Sequence, residues 1–305
     1  MISELQTEQR NPRTMHIDAM DTLDMVRTIN EEDVGVADAV AKVTPAIARA
    51  VDDAAARYQR GGRLVYCGAG TSGRLGVLDA SELVPTYGVK PERAVGLIAG
   101  GQSAMFSAVE GAEDDANLGA ADLQRLQLTA DDVVIGLAAS GRTPYVLGAL
   151  NYANTIGSLT VAVACVPNSE IGQKATIAID AVVGPEVVTG STRMKAGTAQ
   201  KMILNTLSTG VMIKVGKVYQ NLMVDVLPTN QKLVDRSKRI IAETAQVDAT
   251  VAKAAFAAAD GHVPVAIVIA KTGDDVAAAK QRLAAAGGSI NRVFTEWNES
   301  HGANN

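Results

Sequence analysis

Residues 63–73 read RLVYCGAGTSG, a short apolar run that breaks into glycine, threonine and serine and then enters a helical pattern. Gly70, Thr71 and Ser72 thus sit where a buried strand would hand over to a helix. Backbone N–H groups bared by small residues, side-chain hydroxyls and the positive end of a helix all favour an anion at such a place. Three more hydroxyl-bearing loops follow apolar runs: Ser103 after Ala99-Gly100-Gly101-Gln102, then Ser140-Gly141-Arg142-Thr143, then Ser191-Thr192 after residues 184–190. One such loop alone is more simply a turn or an N-cap. Their repetition after successive strands, gathered at one sheet edge, would make a pocket for a small phosphorylated molecule.

Proton transfer at such a pocket needs an acid and a base. The three histidines, His16, His262 and His301, all fall outside the expected core, which leaves carboxylates. Asp79 and Glu82 belong to the helical pattern after the first loop, and Pro85 is expected to end that helix. Glu82 then lies near a helix carboxyl end, where the macrodipole disfavours a negative charge, a condition that suits proton transfer near neutrality, although a lone glutamate there is more simply a solvated surface residue. Glu110, Glu113, Asp114 and Asp115 form an acidic cluster after the second apolar run, with Glu110 and Glu113 one helical turn apart. A run of this kind is ordinarily a solvated face, and spacing alone does not choose a member. Lys195 and Lys201 fit either a substrate anion or a helix surface.

Other chemistries meet specific objections. Gly68, Gly70 and Gly73 spell G-x-G-x-x-G, but a dinucleotide site also needs an acidic residue near the end of the second strand. That strand runs out into Ala99-Gly100-Gly101-Gln102-Ser103-Ala104, so neither NAD nor FAD is expected. The Gly216-Lys217 pair is followed by Val218, which is no Walker loop. Cys67 and Cys165 sit in or beside apolar runs, where thiols serve as small hydrophobes, and neither a disulfide nor a metal site is expected. With 28 basic and 33 acidic residues, a net charge of −5 and no dense basic block, nucleic acid is not an expected partner. Aromatics are 3% of the chain, so any sugar recognition must rest on hydrogen bonds rather than stacking. No apolar run approaches the roughly 20 residues of a membrane span, and residues 1–30 lack the pattern of a secretory signal. A cytoplasmic location, away from any membrane, is the default expectation.

The elements that must position these residues are legible as a pattern. Apolar runs at 64–67, 94–99, 133–139, 159–165 and 177–183 alternate with helical stretches, as in strand-helix-strand units. They are nearly continuous in apolar residues, as strands covered on both faces are. The expected fold class is α/β, an open five-stranded parallel sheet flanked by helices, with ligands beyond the carboxyl ends of its strands. Before it, residues 22–60 read as helical with a break or kink at Pro45. After it, residues 195–217 read as a long apolar helix, residues 225–240 as a polar connection, and residues 241–294 as short helices. The expected organisation is an N-terminal helical region at 1–55, an α/β domain carrying the phosphate-binding loops at 56–240 and a small helical domain at 241–305, with no internal repeat.

Four segments in order, GAGTSGRLGVLDASE at 68–82, AVEGAEDD at 108–115, AASGRTPYV at 138–146 and VTGSTRMKAGTAQK at 188–201, resemble the N-acetylmuramic acid 6-phosphate etherases. The resemblance extends from residues 30–33 through the carboxyl-terminal helices, nearly the whole chain. It implies a sugar isomerase (SIS) fold, a homodimer, no metal or organic cofactor, and cleavage of the lactyl ether of N-acetylmuramic acid 6-phosphate to N-acetylglucosamine 6-phosphate and D-lactate in cell-wall sugar recycling. By motif, the family's two catalytic glutamates fall on Glu82, with an acid role, and Glu113. The inventory agrees with the chemistry: in the open-chain sugar the aldehyde acidifies the C2 proton, a carboxylate removes it, lactate leaves from C3 with help from an acid, and water adds back. One geometric difficulty follows. Glu82 lies nine residues beyond Gly73, about 13 Å along an ideal helix, long for the span from a sugar phosphate to C3. Either the helix is kinked or starts late, or one subunit's loops bind the sugar and the other subunit's glutamate attacks it. An aldose-ketose isomerase and a non-catalytic sugar-phosphate sensor, as in the regulatory proteins of glucokinase, are the rival readings.

Overall fold

Valine, isoleucine, leucine and alanine dominate five short segments, which pair in parallel: β1 (Leu64–Gly68), β2 (Ala94–Ile98), β3 (Val133–Leu137), β4 (Leu159–Ala164) and β5 (Ile177–Asp180). The order is β2-β1-β3-β4-β5, so the chain steps to one side of β1 and then to the other. β1, β3 and β4 are buried along their whole length, while the edge strands β2 and β5 are only partly so, as layers on both faces require. A computed structural model of the chain describes residues 6–228 and 230–301. The expected five-stranded α/β sheet is the fold observed.

The connections are α3 (Gly70–Tyr87) between β1 and β2, α4 (Ala116–Arg125) between β2 and β3, α5 (Pro144–Ile156) between β3 and β4, and the short α6 (Glu170–Lys174) before β5. Alternation along the strands sends Val65, Cys67, Val134, Ala162 and Ala164 to one face, where they pack with Leu123 of α4 and with Tyr145, Val146, Ala149, Leu150 and Ala153 of α5. Upstream lie α1 (Thr22–Ala41) and α2 (Thr44–Gln59), and α2 packs on β3, β4 and β5. The expected break at Pro45 falls between these two helices, with the proline in the first turn of α2, where its missing N–H costs nothing. Downstream is α7 (Lys195–Lys214).

The chain forms two compact units, Met1–Ser81 with Pro91–Ser208, and Glu82–Lys90 with Thr209–Asn305. The second contains a hairpin of β6 (Val218–Tyr219) and β7 (Leu222–Met223), then α8 (Gln231–Ala245), α9 (Ala249–Ala258), α10 (Val263–Thr272), α11 (Val276–Ala285) and α12 (Ile290–His301). Their apolar faces meet in one cluster that includes Val224, Ile240, Ile241, Ile267, Leu283 and Phe294. Side chains of Asn230, Asp248, His262 and Asp275 accept first-turn amides and start four of these helices. Two expectations are corrected. The polar connection at 225–240 contains the first turns of α8, and Pro85 does not end α3, which runs on to Tyr87. Pro85 lies in the last turn, so it removes a bond where the helix is already ending. The side chain of His301 and residues 302–305 lie outside the described side chains. Among the described residues, no helix is long and apolar enough to cross a membrane.

Away from the carboxyl edge, β1 and β3 are tied by charge. Asp132, 1% exposed, accepts from Arg63 N, Nε and Nη2 at 2.8, 2.9 and 2.7 Å and from Thr129 N at 2.7 Å. Burial pushes its carboxyl upward, but the hydrogen bonds from Arg63 and the backbone outweigh it and hold it below the usual carboxylate range. Removing one partner of a buried pair leaves the other charge uncompensated. Asp132→Ala is therefore expected to lose about 3 kcal/mol in urea at pH 7, the low end for buried pairs because the Arg63 side chain keeps 21% exposure. Because the folded carboxyl titrates low, its stabilisation is present above about pH 4 and lost as pH falls through the folded value. The gap between wild type and variant should close on acidification, and a gap independent of pH would contradict this account.

Candidate active site

Gly68 of β1 is in register with Leu137 of β3, so the loops that leave these strands in opposite directions start side by side. The β3–α5 loop turns at Gly141, with φ +71°, and a Cβ there would lie 2.5 Å from Ser169 Cβ. Ile171 N donates to Gly141 O at 2.9 Å and locks this turn against the loop after β4. Ser169 is itself held: its hydroxyl donates to Asp180 Oδ1 at 2.7 Å and accepts from Gly172 N at 3.0 Å. Thr143 starts α5 through its carbonyl, which accepts from Val146 N and Leu147 N, while its hydroxyl takes no part in the cap.

These loops enclose a cavity of about 740 Å³ lined by Ser140, Arg142 and Thr143, by Asn168, Ser169 and Glu170, and by Glu113 and Asp114. The amino end of the 13-residue α5 borders it through Thr143 and Pro144, which favours an anion. Among the described residues, the side chains of Ser140, Arg142, Thr143 and Glu113 have no hydrogen-bond or ion-pair partner. A polar wall that keeps four uncommitted side chains is what a polar ligand would use.

Glu113 reaches this wall on a 3-10 turn, Ala112–Asp114, entered through Gly111 at φ +72°. Asp115 then accepts from Asn117 N and Leu118 N and starts α4. Glu110 and Glu113 therefore do not share a helical face as the spacing suggested, because a left-handed glycine separates them. Both still line a second, smaller cavity of about 200 Å³, with Ala69, Gly70 and Arg74, so Glu113 borders both spaces. Arg74 donates to the carbonyls of Met105 and Ala104, each at 2.9 Å.

The remaining sequence-derived candidates sit elsewhere. Ser72 is buried and donates to Gln200 Oε1 at 2.8 Å. Thr71 is half-buried, its methyl 3.6 Å from where a Cβ on Gly197 would stand. Ser103 is exposed and donates to Gly100 O at 3.3 Å. Ser191 and Thr192 are half-buried in the turn before α7, whose first amides, Lys195 N and Ala196 N, donate to Glu186 at 2.9 Å each. Burial raises the Glu186 carboxyl, and those amides offset only part of the rise. Lys195 is buried, with Nζ 2.7 Å from Glu32 Oε2, so it serves neither of the uses its sequence position offered. Glu82 is exposed on α3, and Leu78, one turn earlier, is 49% exposed. The sequence reading missed Asn168, Ser169 and Glu170, although Val166-Pro167-Asn168-Ser169 after β4 follows the pattern that marked the other loops.

Two family profiles match parts of the chain, the glucokinase regulatory protein N-terminal SIS domain at residues 46–154 and the SIS domain at residues 115–209. The N-acetylmuramic acid 6-phosphate etherase of Lactobacillus gasseri is 61% identical over 295 residues, covering 97% of this chain and 99% of that one. The chain belongs to the N-acetylmuramic acid 6-phosphate etherase family. The etherase of Aeromonas hydrophila is 56% identical over 291 residues, covering 95% of this chain and 98% of the other. A phosphoheptose isomerase from Francisella tularensis superposes with a TM-score of 0.50 at 19% identity, covering 63% of this chain and 98% of that one, and so shares the fold.

In this etherase-family chain the placement of Glu113 depends on how closely α4 approaches α5. A Cβ on Gly148 would fall 1.8 Å from Ala116 O, and one on Gly119 would fall 1.9 Å from Tyr145 O. The helices meet backbone to backbone, and Tyr145 Oη donates to Asp122 across them at 2.8 Å. Gly148→Ala should lose about 1–3 kcal/mol in urea denaturation through overpacking. Gly35→Ala in α1, with nothing within 4 Å of the new methyl, should be neutral or stabilise by up to about 1 kcal/mol. Equal effects at the two sites would contradict the close crossing.

Proposed function

We propose that the chain cleaves the D-lactyl ether of N-acetylmuramic acid 6-phosphate, giving N-acetylglucosamine 6-phosphate and D-lactate, in the recycling of cell-wall sugar. The observation that carries this is the near full-length identity to etherases, 61% over 97% of the chain. The cavity that Glu113 lines together with the uncommitted hydroxyls of Ser140 and Thr143 gives that identity a place to act. The phosphate sits on the Ser140-to-Thr143 turn at the head of α5, where neutral donors and the helix dipole favour it. Gly70 lines the smaller cavity beside Glu113, and Thr71, Ser72, Ser103, Ser191 and Thr192 are the further candidates for contacts to the substrate. Glu113 takes the C2 proton of the open-chain sugar, Glu82 protonates the departing lactyl oxygen at C3, and Glu82 then activates the water that adds to the unsaturated aldehyde.

Because α3 begins at Gly70, a late helix start does not bring Glu82 nearer, and the carboxylate is about 13 Å along the helix from Gly73. Exposed Leu78 beside exposed Glu82 supports a second subunit on that face. The enzyme is then a homodimer, and each sugar bound by one subunit's loops is reached by Glu82 of the other. A phosphorylated sugar is charged and retained inside cells, which fits a cytoplasmic enzyme. The match to the glucokinase regulatory protein SIS domain favours one rival, a sugar-phosphate sensor without turnover.

D-lactate released from N-acetylmuramic acid 6-phosphate separates the readings. Wild type should release it, and Glu82→Gln should lose at least about a hundredfold, within the range for a general acid. Binding of the sugar phosphate without release would favour the sensor. In heavy-oxygen water the label should appear at C3 of the glucosamine product, and label in lactate would exclude elimination and hydration. Mixing Glu82→Gln chains with chains disabled at the Ser140 loop should recover activity if sites are shared, whereas no recovery would place each site within one subunit.

A further inference from the structure

We infer that Arg142 is the receptor for the lactyl carboxylate and thereby distinguishes substrate from product. The inference rests on the etherase reading above. N-acetylmuramic acid 6-phosphate carries two anionic groups, the phosphate at C6 and the carboxylate of the lactyl ether at C3, and the glucosamine product keeps only the first. The larger cavity is lined by three carboxylates, Glu113, Asp114 and Glu170, and by one cation, Arg142. A substrate carboxylate brought among these is repelled by like charge everywhere except beside the guanidinium. The reaction also forces the two together: Glu113 must reach the C2 proton, and the lactyl group hangs from the adjacent carbon.

The turn offers two kinds of anion contact at different depths. Ser140 and Thr143 are half-buried, neutral and at the head of α5, whereas the Arg142 side chain between them is exposed. A phosphate seated on the hydroxyls leaves the sugar's reacting end toward the rim, where the arginine stands. The guanidinium has no partner among the described residues, and its fork matches a carboxylate in bidentate geometry. Arg74, the cation beside Glu113 in the smaller cavity, is already committed to the carbonyls of Ala104 and Met105. Arg142 is thus a specificity residue, and loss of its partner on cleavage weakens the hold on product.

The test compares Arg142→Gln and Arg142→Lys with wild type in kcat/KM for N-acetylmuramic acid 6-phosphate and in Ki for N-acetylglucosamine 6-phosphate as product inhibitor. Arg142→Gln should lower kcat/KM roughly 10- to 100-fold, as for a charged hydrogen bond, while Ki moves less than about twofold since the phosphate contact is intact. Arg142→Lys should regain part of the loss, keeping charge without the fork. A substrate analogue with the lactyl carboxylate replaced by carboxamide gives a second readout: wild type should prefer the acid, and Arg142→Gln should show no preference even if it is less stable. Equal weakening toward substrate and product would assign Arg142 to the phosphate and overturn the inference, as would an unchanged kcat/KM or a retained acid preference. A wild type that releases no lactate would sink the etherase reading itself, an outcome visible before any variant is compared.

Discussion

The site depends on backbone-to-backbone contact at the carboxyl edge of the sheet. α4 and α5 can cross only because Gly119 and Gly148 carry no side chain, and the β3–α5 turn can lie against Ser169 only because Gly141 has none. Those approaches set the spacing between the Ser140-to-Thr143 turn, which leads into α5, and the Glu113 turn, which leads into α4. A methyl group at any of these positions must move backbone, and protein interiors yield little to such demands. The glycines at 68 and 73 have the same use: a Cβ on Gly73 would stand 2.6 Å from Gly68 O and 2.7 Å from Ile98 Cγ1. Close packing of α3 on β1 explains the first and last glycines of G-x-G-x-x-G, and a left-handed φ of +51° explains Gly70 between them.

Around that frame, polar groups are divided between those bound within the protein and those left over. Ser72, Ser169, Lys195 and Glu186 are all engaged, fixing α3, α6 and α7. Among the described residues, the side chains of Ser140, Arg142, Thr143 and Glu113 are not engaged, and they line one cavity. Fixed scaffolding with uncommitted donors at its mouth is the arrangement that preorganised catalysis requires.

The strands were legible because each is a nearly continuous apolar run, the signature of burial on both faces. α8 was hidden because Lys232, Asp235, Arg236, Lys238, Arg239 and Glu243 surround its buried Ile240 and Ile241. The β6–β7 hairpin has two residues in each strand, too few for any periodicity. In the site, local grammar marked the turn after β3, but it could not separate Ser72 from Ser140. That difference comes from Gln200, 128 residues away in sequence. Lys195 likewise finds Glu32 across 163 residues. Hydroxyl and charge positions can be read locally, whereas their partners belong to the tertiary fold.

The role proposed for Glu113, which lines one cavity with the hydroxylated turn, is to move the C2 proton of a bound phosphosugar. Turnover of N-acetylmuramic acid 6-phosphate in deuterium oxide, followed by proton NMR of the glucosamine product, tests it directly. Wild type should place one solvent deuteron at C2, and Glu113→Gln should lose that incorporation together with turnover. Product that retains its original C2 proton, or incorporation undiminished without the Glu113 carboxylate, would contradict it.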